Sequence, residues 1–153
     1  MPLWIFYHPD GTFEDDASKE ALAADVVKMY TDIGLPAFYV VTNFIKMAGG
    51  NTMLVGGKKL GKDEKPFIRI VIEHIAVRLP DEDEVYRRTA NGIDAVLKAQ
   101  VLDKGYNYEF HVDETERRLW KINAIFPPMF GSEEEKIWVK ENRAVDFGNA
   151  ASL

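Results

Sequence analysis

A chain of 153 residues with a formal net charge of −6, 46 % apolar and 29 % charged side chains is sized for one domain with its own core. Its acidity, with basic residues scattered along the chain, excludes a phosphate-neutralising nucleic-acid face, and no apolar run reaches the roughly 18 residues of a membrane span. The absence of cysteine excludes disulfide frameworks, redox dithiols and thiolate metal sites, and a reducing, cytoplasmic setting is expected.

Pro2 follows Met1 directly. Small second residues permit removal of the initiator methionine, so Pro2 is expected to become the N-terminus, a secondary amine whose unmodified titration lies at about 7.7 to 8.0. Such a group can serve as a base or an acid near neutrality. The apolar stretch behind it is too short, and lacks the positive flank, of a secretory signal. At the other end, Ala151-Ser152-Leu153 lacks the basic residue of a peroxisomal address, so the cytoplasm remains the expectation.

In chain order, a strand is predicted over residues 3–7, closed by the turn signals His8-Pro9-Asp10-Gly11. A helix capped by Asp15 or Asp16 follows, with Leu22, Val26, Met29, Tyr30 and Ile33 at helical spacing, and Gly34 ends it. Residues 37–45 read as the second strand, rich in β-branched and aromatic side chains. Residues 46–66 read as turns, with a short strand at 53–55. Their glycines do not make a phosphate loop, because Thr52 and Lys59 stand where glycine and Ser or Thr are required. The pattern then repeats, with a strand over 67–75 and a helix opened by Pro80 and Asp81, in which Asp81 and Glu84 have capping-box spacing. Gly105 ends this segment, and residues 106–113 alternate apolar Tyr106, Tyr108, Phe110 and Val112 with Asn107, Glu109, His111 and Asp113.

The chain thus reads as one α+β domain of two strand-helix-strand units, with halves at about 2–63 and 64–128 and a C-terminal extension over 129–153. Residues 119–126 are expected to form a strand or an extended arm, and Ser132 with Glu135 caps a short helix to Asn142. Trp138 on that helix reads as exposed and suited to docking elsewhere. Arg69, midway along a strand that ought to be buried, calls for an ion pair with Glu73 or Glu109. The three histidines show no metal-ligand spacing, so no metal is expected.

An N-terminal proline on a short strand followed by two such units resembles the tautomerase superfamily, and in particular the fungal relatives of cis-3-chloroacrylic acid dehalogenase. The resemblance is carried by Pro2-Leu3-Trp4, the run 34–41, Asn43-Phe44, Ala48-Gly49, Asn51, Gly56-Gly57, His74-Ile75-Ala76 with Arg78, and the run 109–115. It implies two fused β-α-β units in a four-stranded mixed sheet with two helices on one face, a homotrimer, and cofactor-free chemistry on small carboxylates.

It further implies that Pro2 moves a proton and that Arg78 binds the substrate carboxylate with His74 beside it. The second arginine of the dehalogenase pattern falls on Ile75, its helix histidine on Tyr30 or Met29, and its last-strand tyrosine on His111. Its water-activating glutamate falls near Lys121, with Glu114 and Glu116 the nearest carboxylates. The expected catalytic residues are therefore Pro2, His111 and Glu114, and the expected substrate-binding residues are Arg78, His74 and Tyr30. Enol-keto tautomerisation leads. Hydration or dehalogenation with Pro2 as acid, and a non-catalytic trimeric binding protein, are the alternatives.

Overall fold

The computed structural model describes residues 1–47, 53–61 and 63–148. Strand β1 (Leu3–Pro9) buries every second side chain, so Trp4, Phe6 and His8 face one side of the sheet. Helix α1 (Asp16–Thr31) is capped by the Asp15 carboxylate, which accepts the Ser18 backbone N–H at 2.6 Å. Leu22, Val26 and Tyr30, four apart, bury its inner face. Strand β2 (Val41–Met47) then pairs parallel with β1.

The strand expected from residue 37 starts later, because Pro36 enters a 3-10 turn over Ala37–Tyr39. That turn sends Phe38 and Tyr39 onto Trp138, at ring distances of 5.8 and 6.1 Å, instead of into the ladder. A small hairpin follows, β3 (Leu54–Val55) with β4 (Lys58–Lys59). Its turn needs two residues at positive φ, which Gly56 and Gly57 supply at 57° and 78°. The resemblance residues Ala48, Gly49 and Asn51 lie outside the described residues, as does the C-terminal tripeptide.

The second unit comprises β5 (Phe67–His74), α2 (Asp83–Leu97) with a π turn over Lys98–Leu102, and β6 (Asn107–Glu114), parallel to β5. The capping box expected at Asp81 does not form. Glu82 occupies the N-cap without a side-chain bond, and Asp81 instead accepts the Tyr86 hydroxyl at 3.1 Å. Strands β1 and β5 run antiparallel and join the two units into one sheet of order β2-β1-β5-β6. Both helices cover the same face, where Trp4, Phe6, Ile68, Ile70 and Ile72 pack with Leu22, Val26, Ile93 and Leu97. The other face, carrying Leu3, Ile5, Tyr7, Arg69 and Val71, is only half-buried.

Residues 119–126, expected as a strand or an extended arm, form no strand: a 3-10 turn over Arg117–Leu119 leads into an arm with an isolated bridge between Ile122 and Ile125. Helix α3 (Glu133–Glu141) starts where Ser132 accepts the Glu135 N–H at 3.1 Å. The expectation that Trp138 is exposed is overturned. Its indole is fully buried against Phe38 and Tyr39, and its N–H donates to the Val145 carbonyl at 2.9 Å. This fastens the extension to its own subunit.

Candidate active site

The antiparallel β1–β5 register sets the site. Leu3 pairs with Glu73, so Pro2 lies across from His74, the last residue of β5. Because side chains alternate along a strand, His74 shares the helix-covered face with Ile68, Ile70 and Ile72 and is itself buried. Tyr30, in the last turn of α1, reaches down to meet it. The Trp4 indole donates to the Tyr30 oxygen at 2.9 Å, and the Tyr30 hydroxyl lies 2.6 Å from His74 Nε2.

Two cavities open around this chain of rings. One, of about 400 Å³, is mostly apolar and is lined by Pro2, Met29, Tyr30, Leu35 and Val85. The other, of about 490 Å³, is charged and is lined by Arg78, Glu114, Glu116, Arg117 and Arg118. His74, Ile75 and Val77 line both. A third groove, of about 530 Å³, lies between the arm and α3 and holds none of the expected site residues.

Three guanidiniums meet in the charged cavity. Arg118 is neutralised by Glu116 at 3.0 Å. Arg78 and Arg117 have no carboxylate within ion-pair distance among the described residues. Arg117 is held by the carbonyls of Ala76 at 3.4 Å, Pro127 at 3.2 Å and Pro128, and by the Trp120 ring at 5.4 Å. A second guanidinium free of carboxylates, from a segment distant in the chain, thus lines the cavity with Arg78. Nothing in local spacing announces Arg117, which opens the 3-10 turn after β6.

Burial first, and the nearby Arg117 charge second, bring the α-amino group of Met1 from its ordinary 8.0 down to about 4. His74 is pushed below the usual imidazole range, chiefly by burial; the Glu114 carboxylate opposes this and the amino-terminal charge reinforces it. Burial pushes the Tyr30 phenol up, so it remains protonated. Glu114, paired in register with His74, accepts the Leu79 backbone N–H at 2.6 Å and so holds the segment that carries Arg78.

His111 is not part of this cluster. Its neighbours Phe110 and Val112 pack against the core, so His111 projects from the opposite face of the sheet. There its Nδ1 accepts from Arg69 at 2.6 Å and its Nε2 donates to Asp113 at 3.1 Å. Alternation along the strand makes that placement unavoidable and separates His111 from Pro2. Arg69 pairs with Glu109 at 2.7 Å, the second of its two expected partners. Among the described residues no three His, Asp or Glu side chains converge to hold a metal, and no helix is long and apolar enough to cross a membrane.

Known proteins share this fold. A crystal structure of native RhCC from Rhodococcus jostii RHA1 is 35 % identical, superposes with a TM-score of 0.86, and covers 95 % of this chain and 99 % of its own. A probable enzyme from the thermophilic fungus Aspergillus fumigatus is 39 % identical, with a TM-score of 0.85 and coverage of 96 % and 98 %. N1, a member of the cis-3-chloroacrylic acid dehalogenase family, shares the fold at 16 % identity, with a TM-score of 0.61 and coverage of 92 % and 97 %. No curated protein matches. A family model described as "Putative oxalocrotonate tautomerase enzyme" matches residues 1–143, and the chain, with its two β-α-β units in one sheet, belongs to that family of the tautomerase superfamily.

Proposed function

We propose that the protein is a cofactor-free tautomerase of small α-keto or α,β-unsaturated carboxylates, in which Pro2, freed by loss of Met1, moves the proton. The observation that carries this reading is the convergence of Pro2 with two unneutralised guanidiniums, Arg78 and Arg117, across the His74 wall. Burial and a nearby cation both favour the neutral form of an amine. Burial and the Arg117 charge depress the Met1 amino group one residue away, and Pro2 itself lines the apolar cavity, surroundings that favour a neutral, basic Pro2 amine.

The Pro2 lone pair takes a proton from the carbon beside the substrate carbonyl. The C–H electron pair becomes the enol double bond, and the carbonyl π pair moves onto oxygen. Passing that proton from the ammonium to the enolate oxygen completes the enol; in the enol-to-keto direction Pro2 takes the hydroxyl proton and returns it to carbon, the O–H pair re-forming the carbonyl as the C=C pair forms the C–H bond. Arg78 and Arg117 hold the carboxylate and stabilise the charge that develops next to it.

A second reading rests on Glu114. Its carboxylate lines the same cavity, with one oxygen on Leu79 and the other without a hydrogen-bond partner among the described residues. It could direct water onto an activated double bond while protonated Pro2 acts as acid, giving hydration with or without halide loss. The depressed amine favours the base, so this reading stands second. A homotrimer in the cytoplasm is part of the proposal. The half-buried sheet face with Leu3, Ile5 and Val71 is apolar enough to need a cover that one subunit does not provide.

The test is the intact mass of the purified protein, followed on the same sample by assays with phenylenolpyruvate and both chloroacrylate isomers. A mass lacking methionine, with enol turnover abolished by Pro2→Ala, supports the tautomerase. Haloacrylate turnover without enol turnover moves the assignment to the hydratase. Full turnover in Pro2→Ala refutes the proline base. A monomeric mass by sedimentation refutes the trimer.

A further inference from the structure

The direction of each bond in the Trp4, Tyr30 and His74 chain follows from what each group can do. An indole N–H only donates, so its contact at 2.9 Å occupies a lone pair of the Tyr30 oxygen. The phenol proton then has one acceptor among the described residues, His74 Nε2 at 2.6 Å. Any other direction would strand a hydroxyl proton inside a residue that is 4 % exposed. A nitrogen that accepts carries no hydrogen, so the neutral imidazole holds its proton on Nδ1. That nitrogen has no protein partner among the described residues, and the ring it belongs to lines both cavities.

We propose that Trp4 and Tyr30 lock His74 as the neutral Nδ1–H tautomer, so that it donates a hydrogen bond to the keto or enolate oxygen of the substrate and does not shuttle protons. The role assigned to that oxygen rests on the tautomerase reading; the lock itself does not. Trp4 and Tyr30 are positioning residues, and His74 is the group that touches substrate. The charged groups that face His74 are Glu114 from β6, the amino terminus, and Arg78 and Arg117 across the charged cavity. The cations and burial act against a charged ring, and Glu114 acts for it. A neutral donor suits this step, because it meets the developing negative charge without competing with the Pro2 amine for the proton being moved. All proton traffic then runs through one nitrogen.

Long-range nitrogen-proton NMR on the uniformly 15N-labelled, full-length protein, without substrate, reads the ring directly. The expected spectrum shows a protonated Nδ1 and an unprotonated Nε2 for His74, and Tyr30→Phe is expected to populate the other tautomer. A protonated Nε2 in the unmodified protein overturns the lock, whatever the activity. The donor role is read separately by kinetics. His74→Gln can accept from Tyr30 through its oxygen and donate through its amide but cannot carry a proton, so it is expected to retain a tenth or more of the turnover. His74→Ala is expected to lose about 10²- to 10³-fold, the usual cost of one oxyanion donor. Equal loss in both variants overturns the donor and makes His74 a proton shuttle. A protonated Nδ1 with no turnover of any enol would confirm the lock and refute the tautomerase reading.

Discussion

His74 and His111 lie on adjacent strands of one sheet, and each ring nitrogen that accepts does so at 2.6 Å, from Tyr30 and Arg69 respectively. They differ in what is left over. His111 uses both nitrogens, the second on Asp113, in a network that is open to solvent on the face away from the helices. His74 uses one nitrogen and keeps the other for the space beside Pro2. Polar neighbours alone therefore do not mark a reactive histidine. An unused donor that faces a cavity does, because its hydrogen bond is still available to a ligand.

The largest expected effect is at Pro2. Pro2→Ala should lower turnover at least about 100-fold while barely moving the thermal midpoint, since it replaces the ring-fixed secondary amine by a freely rotating primary one and removes little buried surface. Comparable loss of activity and stability together would mean that the residue serves packing only.

Arg78→Ala comes next. An unneutralised guanidinium that binds a carboxylate contributes about 1.5–3 kcal/mol, so kcat/KM should fall roughly 10- to 150-fold, with KM carrying most of it. A change confined to kcat would move Arg78 from substrate binding to transition-state stabilisation.

Arg117→Gln sharpens the comparison through pH. A depressed amine is neutral, and basic, above its own pKa, so kcat/KM should rise with pH through a value below the ordinary amino-terminal range and then level off. The Arg117 charge opposes a second positive charge nearby, so removing it should raise the amine pKa and move the rising limb to higher pH. A limb that stays in place would leave burial as the sole cause of the depression.

The smallest expected effect is at His111. His111→Asn should keep turnover within about threefold, because alternation along β6 puts the side chain on the far side of the sheet from Pro2. A loss as large as that of Pro2→Ala would break the contrast between the two faces and return His111 to the catalytic set.

Much of the architecture was legible because it is written in short-range pattern. The periods of two and of nearly four residues that define β1, α1, β5, α2 and β6 depend only on neighbours in the chain. Asp15 and Ser132 were legible as caps for the same reason, each meeting an N–H three residues on. Asp81 had equally good spacing and failed, because Tyr86 offered its hydroxyl and α2 began later. Arg69 was legible as half of an ion pair, since a charge on a central strand must be compensated, and register selected Glu109 over Glu73.

What the amino-acid sequence by itself determined is the doubled strand-helix-strand chain, the proline at its head, and the alternation that separates His111 from Phe110. Tertiary structure alone decided which face of that alternation carries the cavity, that Arg117 lines it beside Arg78, that Trp138 closes the extension onto Phe38, and that Trp4 reaches His74 through Tyr30. The division has one physical reason. Periodicity and capping are set by residues a few positions apart, whereas a cavity is made where the ends of β1, β5, β6 and α1 meet, and only the antiparallel pairing of the two halves brings those ends together.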